Sequence, residues 1–225
     1  FKVFYWKNRI AIEFFHALTD GTGGITLLKS LVAQYLRLSG VEVARDPQIY
    51  LPGDPIDEEE SSDSFQKFYN PLRSVFASDV RAFHLEAGTG ELTDRVNAIS
   101  ASLAIADIKA LATANQVTIT EYLVAELLDA FQRVQEQTVK SPKRYKPIRI
   151  SVPVNIRKVF GSKSMRNFTL FVVVGIDPRL GRYTFEEIIQ QVRTQLRNGV
   201  TSKSLSRQIA RNVAGERNLF VRYAP

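Results

Sequence analysis

The chain has 225 residues, 44% of them hydrophobic, with no cysteine and a formal net charge of +7. That length can bury a sizeable core as one large domain or two small ones. Without cysteine there are no disulfides, thiolate metal sites or cysteine nucleophiles, which fits a cytoplasmic protein. No run of about 18 apolar residues is present to span a membrane, and no signal peptide is visible.

Residues 1–6 and 9–15 carry apolar and aromatic residues along their length and predict a hairpin around Lys7-Asn8. A helix is expected after Gly24, on Leu28, Leu31, Val32 and Tyr35, ending near Ser39-Gly40. Residues 46–80 lose periodicity and carry LPGDP and DEEESSDS, so they read as a linker or exposed loop with no chemistry assigned. Strands are expected over 82–87 and 96–103, followed by a helix over about 105–115.

Thr118-x-x-Glu121 forms a capping-box pattern ahead of an amphipathic stretch, and Thr184-x-x-Glu187 repeats it for a helix to about Asn198. Between them, residues 148–154 and 168–176 are nearly continuous apolar runs, as expected of interior strands covered on both faces. The last 20 residues read as helical and basic. This order of elements predicts an α/β fold with a mixed sheet.

Charge is uneven. Residues 1–139 hold 12 Lys and Arg against 19 Asp and Glu, and residues 140–225 hold 18 against 4. A basic half raises anionic partners. The basic residues are dispersed, however, without the interleaved aromatics of a single-strand binder or a DNA-binding motif, which disfavours nucleic acid.

The most informative segment is FFHALTDGTGG at 14–24, with His16-x-x-x-Asp20-Gly21 at its centre. His16 sits where a strand gives way to a loop, a place that holds a side chain rigidly yet lets it project. Histidine is the side chain best suited to take a proton near neutral pH. Gly21 permits a positive φ. GTGG at 21–24 has the look of a phosphate cradle but lacks the lysine of a P-loop, so its glycines are expected to shape the turn that aims His16. The other histidine, His84, lies alone on an apolar run and is expected to be packed or at the surface. No G-x-S-x-G elbow occurs, and one His with one Asp gives too few metal ligands.

About 130 residues after His16 come VPVNIRK at 152–158 and MRNF at 165–168. With His16-x-x-x-Asp20-Gly21, these make the chain resemble the acyltransferase superfamily of chloramphenicol acetyltransferase, plant acyl-CoA-dependent acyltransferases and nonribosomal-peptide condensation domains. It looks most like the bacterial alcohol-acetyltransferase-like proteins. Asn155, Arg157 and Asn167 match that superfamily's V-N-x-R and G-N positions, with Arg166 in place of the glycine.

The resemblance implies a two-layer, chloramphenicol-acetyltransferase-like fold of two lobes with a tunnel between them. Residues 1–45 would end the first lobe, 46–80 would link, and 81–225 would form most of the second. It also implies acyl transfer, acetyl above all, from coenzyme A to a hydroxyl, with His16 as general base and no tightly bound cofactor. Asp20 and Gly21 would be structural, Asp20 paired with Arg157, and Asn155 or Asn167 would contact substrate or an oxyanion. The alternatives are a condensation-type enzyme that joins carrier-bound acyl groups to an amine and needs an acyl carrier protein, and a non-catalytic scaffold. Family members are longer, and the chain opens on Phe1 with its one methionine at Met165. It therefore reads as a piece whose other parts would complete the tunnel, inactive alone.

Overall fold

The computed structural model describes residues 1–71, 81–85 and 99–217. The protein is mixed α/β, with seven α-helices among these residues and two small antiparallel sheets of two strands each. The chain divides into two compact units: residues 1–76, 153–170 and 201–225 in one, 77–152 and 171–200 in the other. The sequence boundaries at 45 and 80 are drawn for lobes of a longer chain and do not coincide with these units.

The first unit opens with the hairpin, β1 (Lys2–Trp6) paired antiparallel to β2 (Arg9–Glu13), with Lys2 opposite Glu13 and Trp6 opposite Arg9. Lys7 takes a positive φ of 52° to make the turn. Helix α1 (Gly21–Leu38) starts four residues earlier than expected, because Asp20 caps it and the glycines form its first turn. It ends as predicted. Gly40 sits at φ 81°, and the Val41 and Gly40 N–H groups bond back to the Leu36 and Arg37 carbonyls at 2.9 and 3.0 Å. That is the Schellman arrangement, for which glycine is the least strained residue.

Two short helices, α2 (Ser64–Lys67) and α5 (Arg157–Phe160), and the long α7 (Ser202–Arg217) complete this unit. Its core joins Ile156, Phe168, Leu170, Leu205, Ile209 and Val213. Phe65 and Phe160 meet the Phe168 ring edge-on at 5.1 and 6.0 Å, and Phe68 stacks on it at 5.9 Å. The end of the described part of the expected linker thus packs against the core through Phe65, Phe68 and Tyr69, which are partly buried. The hydrophobic residues Phe65, Phe68 and Tyr69 follow the charge run directly, and burying them draws the acidic stretch onto the fold.

In the second unit, α3 (Ile105–Ala114), α4 (Ile119–Thr138) and α6 (Phe185–Gly199) occupy the predicted segments. Thr118 with Glu121 and Thr184 with Glu187 form complete capping boxes. Three glutamines bond main chain in place of a neighbouring strand. Gln195 holds the N–H and C=O of Gly175 at 2.8 Å each, Gln132 those of Tyr183, and Gln135 those of Lys146. Each satisfies a donor and acceptor that would otherwise be costly to bury.

The strands depart from expectation. β3 (Ile148–Asn155) and β4 (Thr169–Ile176) form the second sheet, and the chain passes between the units within each. Their burial alternates, with Phe171 and Val173 of β4 55% and 52% exposed. They are therefore one-sided, because side chains alternate faces in a two-stranded sheet whatever their hydrophobicity. The expected mixed sheet is not formed by the described residues. Residues 81–85 and 99–103 carry no strand, and the rest of those two expected strands lies outside the described residues. Within 81–85, Phe83 N–H donates to the Pro147 carbonyl at 2.8 Å, and His84 is exposed. Among the described residues no helix is long and apolar enough to cross a membrane.

Candidate active site

The site is built where the loop after β2 meets the loop between α5 and β4. Phe14 is half-buried, its ring against Gly24 so closely that a Cβ there would collide with it. A tight turn follows, Leu18 N–H to the Phe15 carbonyl at 2.9 Å, and His16 stands exposed upon it. Thr19 Oγ1 then donates to the Met165 carbonyl at 2.6 Å. A Cβ at Gly23 would strike both of those partners, so that glycine is required by close approach. Gly21 is different. It does not adopt a positive φ, and nothing lies within 4 Å of where its Cβ would be, so the conformational freedom expected of it is not used.

Asp20 is 2% exposed and its carboxylate accepts five hydrogen bonds. Its Oδ1 caps α1 through the N–H groups of Thr22 at 3.0 Å and Gly23 at 3.4 Å. Oδ2 receives Arg157 Nη1 at 2.7 Å, Phe168 N–H at 2.9 Å and Thr169 Oγ1 at 2.9 Å. Burial pushes the carboxyl's pKa up. The hydrogen bonds from Arg157, Phe168 and Thr169 and the guanidinium charge outweigh it, so the group titrates below the usual aspartate range. The carboxylate also fills the α1 N-terminus, which is therefore no phosphate cradle.

Arg157 is 8% exposed and spends its guanidinium on fixed partners. Nε donates to the Ser164 carbonyl at 2.7 Å, Nη2 to the Arg166 carbonyl at 2.6 Å, and Nη1 to Asp20 and to Asn155 Oδ1 at 3.2 Å. With Thr19 on the Met165 carbonyl, three successive carbonyls of this loop are bound by side chains. Arg166 has no positive φ and only its backbone enters the network. An arginine is accommodated there without strain.

The two asparagines differ. Asn155 Oδ1 accepts from Arg157 N–H at 3.0 Å, and its Nδ2 donates to Thr22 Oγ1 at 2.8 Å, so it orients Arg157 and the start of α1. Asn167 Nδ2 donates to the His16 carbonyl at 3.4 Å, and its Oδ1 is buried without a partner among the described residues. The structure thus joins Asp20, Arg157, Asn155 and Asn167 to the His16 loop. Among the described residues the His16 imidazole has no hydrogen bond, so Asp20 is not its partner.

The acidic stretch forms an outer brace. Met165 N–H donates to the Glu60 carbonyl at 2.7 Å, Ser164 Oγ to the Ser62 carbonyl at 2.6 Å, and Lys163 pairs with Asp57 at 2.8 Å. Ser64 and Ser162 share a hydrogen bond of 2.7 Å. Sequence reasoning missed Thr19, Thr22, Thr169 and these serines. The signal for the serines was two polar clusters, SSDS at 61–64 and SKS at 162–164, left without an assignment. Compared with protein-family models and with curated proteins, the chain matches none.

Proposed function

We propose that the chain carries the general-base loop of an acyltransferase with a chloramphenicol-acetyltransferase-like fold, moving an acetyl group from coenzyme A to a hydroxyl. The observation that carries this reading is the division of labour at the motif. Asp20 and Arg157 spend their polar groups on locking two loops together, while the His16 imidazole is exposed and unengaged on the loop they hold.

In the reaction, the acceptor oxygen bonds to the thioester carbonyl carbon as its proton passes to His16. The tetrahedral intermediate then collapses, the C–S bond breaks, and the coenzyme A sulfur takes that proton back from His16. Both substrates are present together, so no acyl-enzyme forms. A positioned base of this kind contributes about 10²- to 10⁴-fold.

The test is release of free thiol from acetyl-CoA by the full-length protein against a panel of alcohols and amines. The reading expects an O-acetyl product and a fall of at least about 10²-fold in turnover for His16→Ala. Because the imidazole is exposed and makes no hydrogen bond, the variant should fold like wild type. Wild-type turnover in a folded His16→Ala protein refutes the base. An amide product formed only from a carrier-bound acyl group would move the chain to condensation chemistry.

A further inference from the structure

The geometry points to a pocket beside His16 that receives the acceptor, a small alcohol carrying an ammonium group; this rests on the acyl-transfer reading. A concavity of 310 Å³ lies within the first unit. Two of its lining residues tie it to the base: Ala17 follows His16, and Asn167 holds the His16 carbonyl. Its apolar side includes Phe65 and the buried Val213, both packed in the core.

Size sets the first limit. Ligand pockets run from about 300 to 1,000 Å³, so this one is at the small end. At about 30 Å³ for each water-sized group it holds roughly ten non-hydrogen atoms. Coenzyme A is far larger, which assigns the pocket to the acceptor rather than the donor.

Charge sets the second. The polar lining includes two carboxylates, Asp63 and Glu216, and one guanidinium, Arg166. Asp63 Oδ1 caps α2 through the N–H groups of Phe65 and Gln66 at 3.0 and 3.3 Å, while its Oδ2 has no partner among the described residues. Glu216 Oε2 has one long hydrogen bond, 3.4 Å from Gln66 Nε2. Among the described residues none of the three charged groups is in an ion pair. Among the described residues, two carboxylates outside any ion pair against one guanidinium leave the lining net negative, which draws a cation into a concave site.

The test uses full-length protein and a matched pair of alcohols. Protonated 3-(dimethylamino)propan-1-ol cannot yield a stable amide, and 4-methylpentan-1-ol is its neutral isostere; 4-hydroxybutanoate serves as the anionic arm. Acetyl transfer to the ammonium alcohol is expected at a kcat/KM at least tenfold above that of the isostere. Asp63→Asn and Glu216→Gln should each shrink that ratio several-fold, and asparagine preserves the α2 cap. Using a ratio cancels any loss of folded protein. Equal kcat/KM for the pair, a preference for the anionic alcohol, or a ratio that neither substitution changes overturns the inference. Ligand-observed NMR with the ammonium alcohol separates the two readings, with Asn212→Trp as an exposed substitution that fills the cavity. Binding that Asn212→Trp abolishes, in a protein that transfers no acetyl group, upholds the pocket and refutes acyl transfer. Absence of binding refutes the pocket.

Discussion

Asp20→Asn separates an architectural anion from a bystander. An asparagine has one accepting end. With its oxygen toward Arg157, its NH₂ faces the Thr22 and Gly23 N–H groups and the helix cap is lost; reversed, it faces Arg157, Phe168 N–H and Thr169. The lost cap costs about 1 kcal/mol. Leaving the 8%-exposed Arg157 charge without its anion costs about 3–5 kcal/mol, and this larger effect decides the outcome. With a urea m-value of about 2–3 kcal/mol/M, the midpoint should fall by about 1–2.5 M. Exchange of the Thr22, Gly23 and Phe168 amide hydrogens should quicken by about two to three and a half decades. An Asp20→Asn/Arg157→Met cycle should show coupling of about 2–3 kcal/mol. The pH dependence has a definite sign. The folded Asp20 pKa is depressed, so its stabilisation is fully present above the unfolded value of about 3.9 and is lost as pH falls through the folded value. Asp20→Asn should therefore flatten stability against pH below about pH 4. A variant within about 1 kcal/mol of wild type, or an additive cycle, refutes the reasoning.

Three further outcomes are expected. Gly23→Ala should destabilise by about 1–3 kcal/mol in thermal or urea unfolding, because its Cβ meets Thr19 and the Met165 carbonyl, whereas Gly21→Ala should be near neutral. Gln195→Leu should cost about 1–2 kcal/mol and speed exchange at the Gly175 amide, whose N–H and C=O it holds. Tyr50 donates to Glu60 at 2.7 Å, and that bond, with burial, pushes its pKa up to about 12. Its contribution is fully present below the unfolded value of about 10 and lost as pH rises toward 12, so Tyr50→Phe should reduce the alkaline fall in stability.

The sequence by itself determined the local elements. Lys7-Asn8 between two apolar runs, Ser39-Gly40 after a periodic one, and the two T-x-x-E boxes are signals complete within a few residues, and each marks a turn or helix end in the structure. Asp20, Arg157, Asn155 and Asn167 were marked by the resemblance of their motifs rather than by any local signal. Tertiary structure alone decided what their partners are. Asp20 collects donors from residues 22–23 and from 157–169, a convergence set by packing rather than by sequence spacing. The same holds for the roles of the glycines. Gly23 and Gly24 matter through what lies across from them, and Gly21 does not, although all three sit in one short run. The acidic stretch read as solvated loop because charge dominates its local pattern, yet Phe65 and Phe68 just beyond it bury on Phe168 and pull it into the fold. The runs at 148–154 and 168–176 read as covered on both faces because hydrophobicity alone does not count neighbours, and among the described residues the folded chain shows a sheet of two strands with one face exposed.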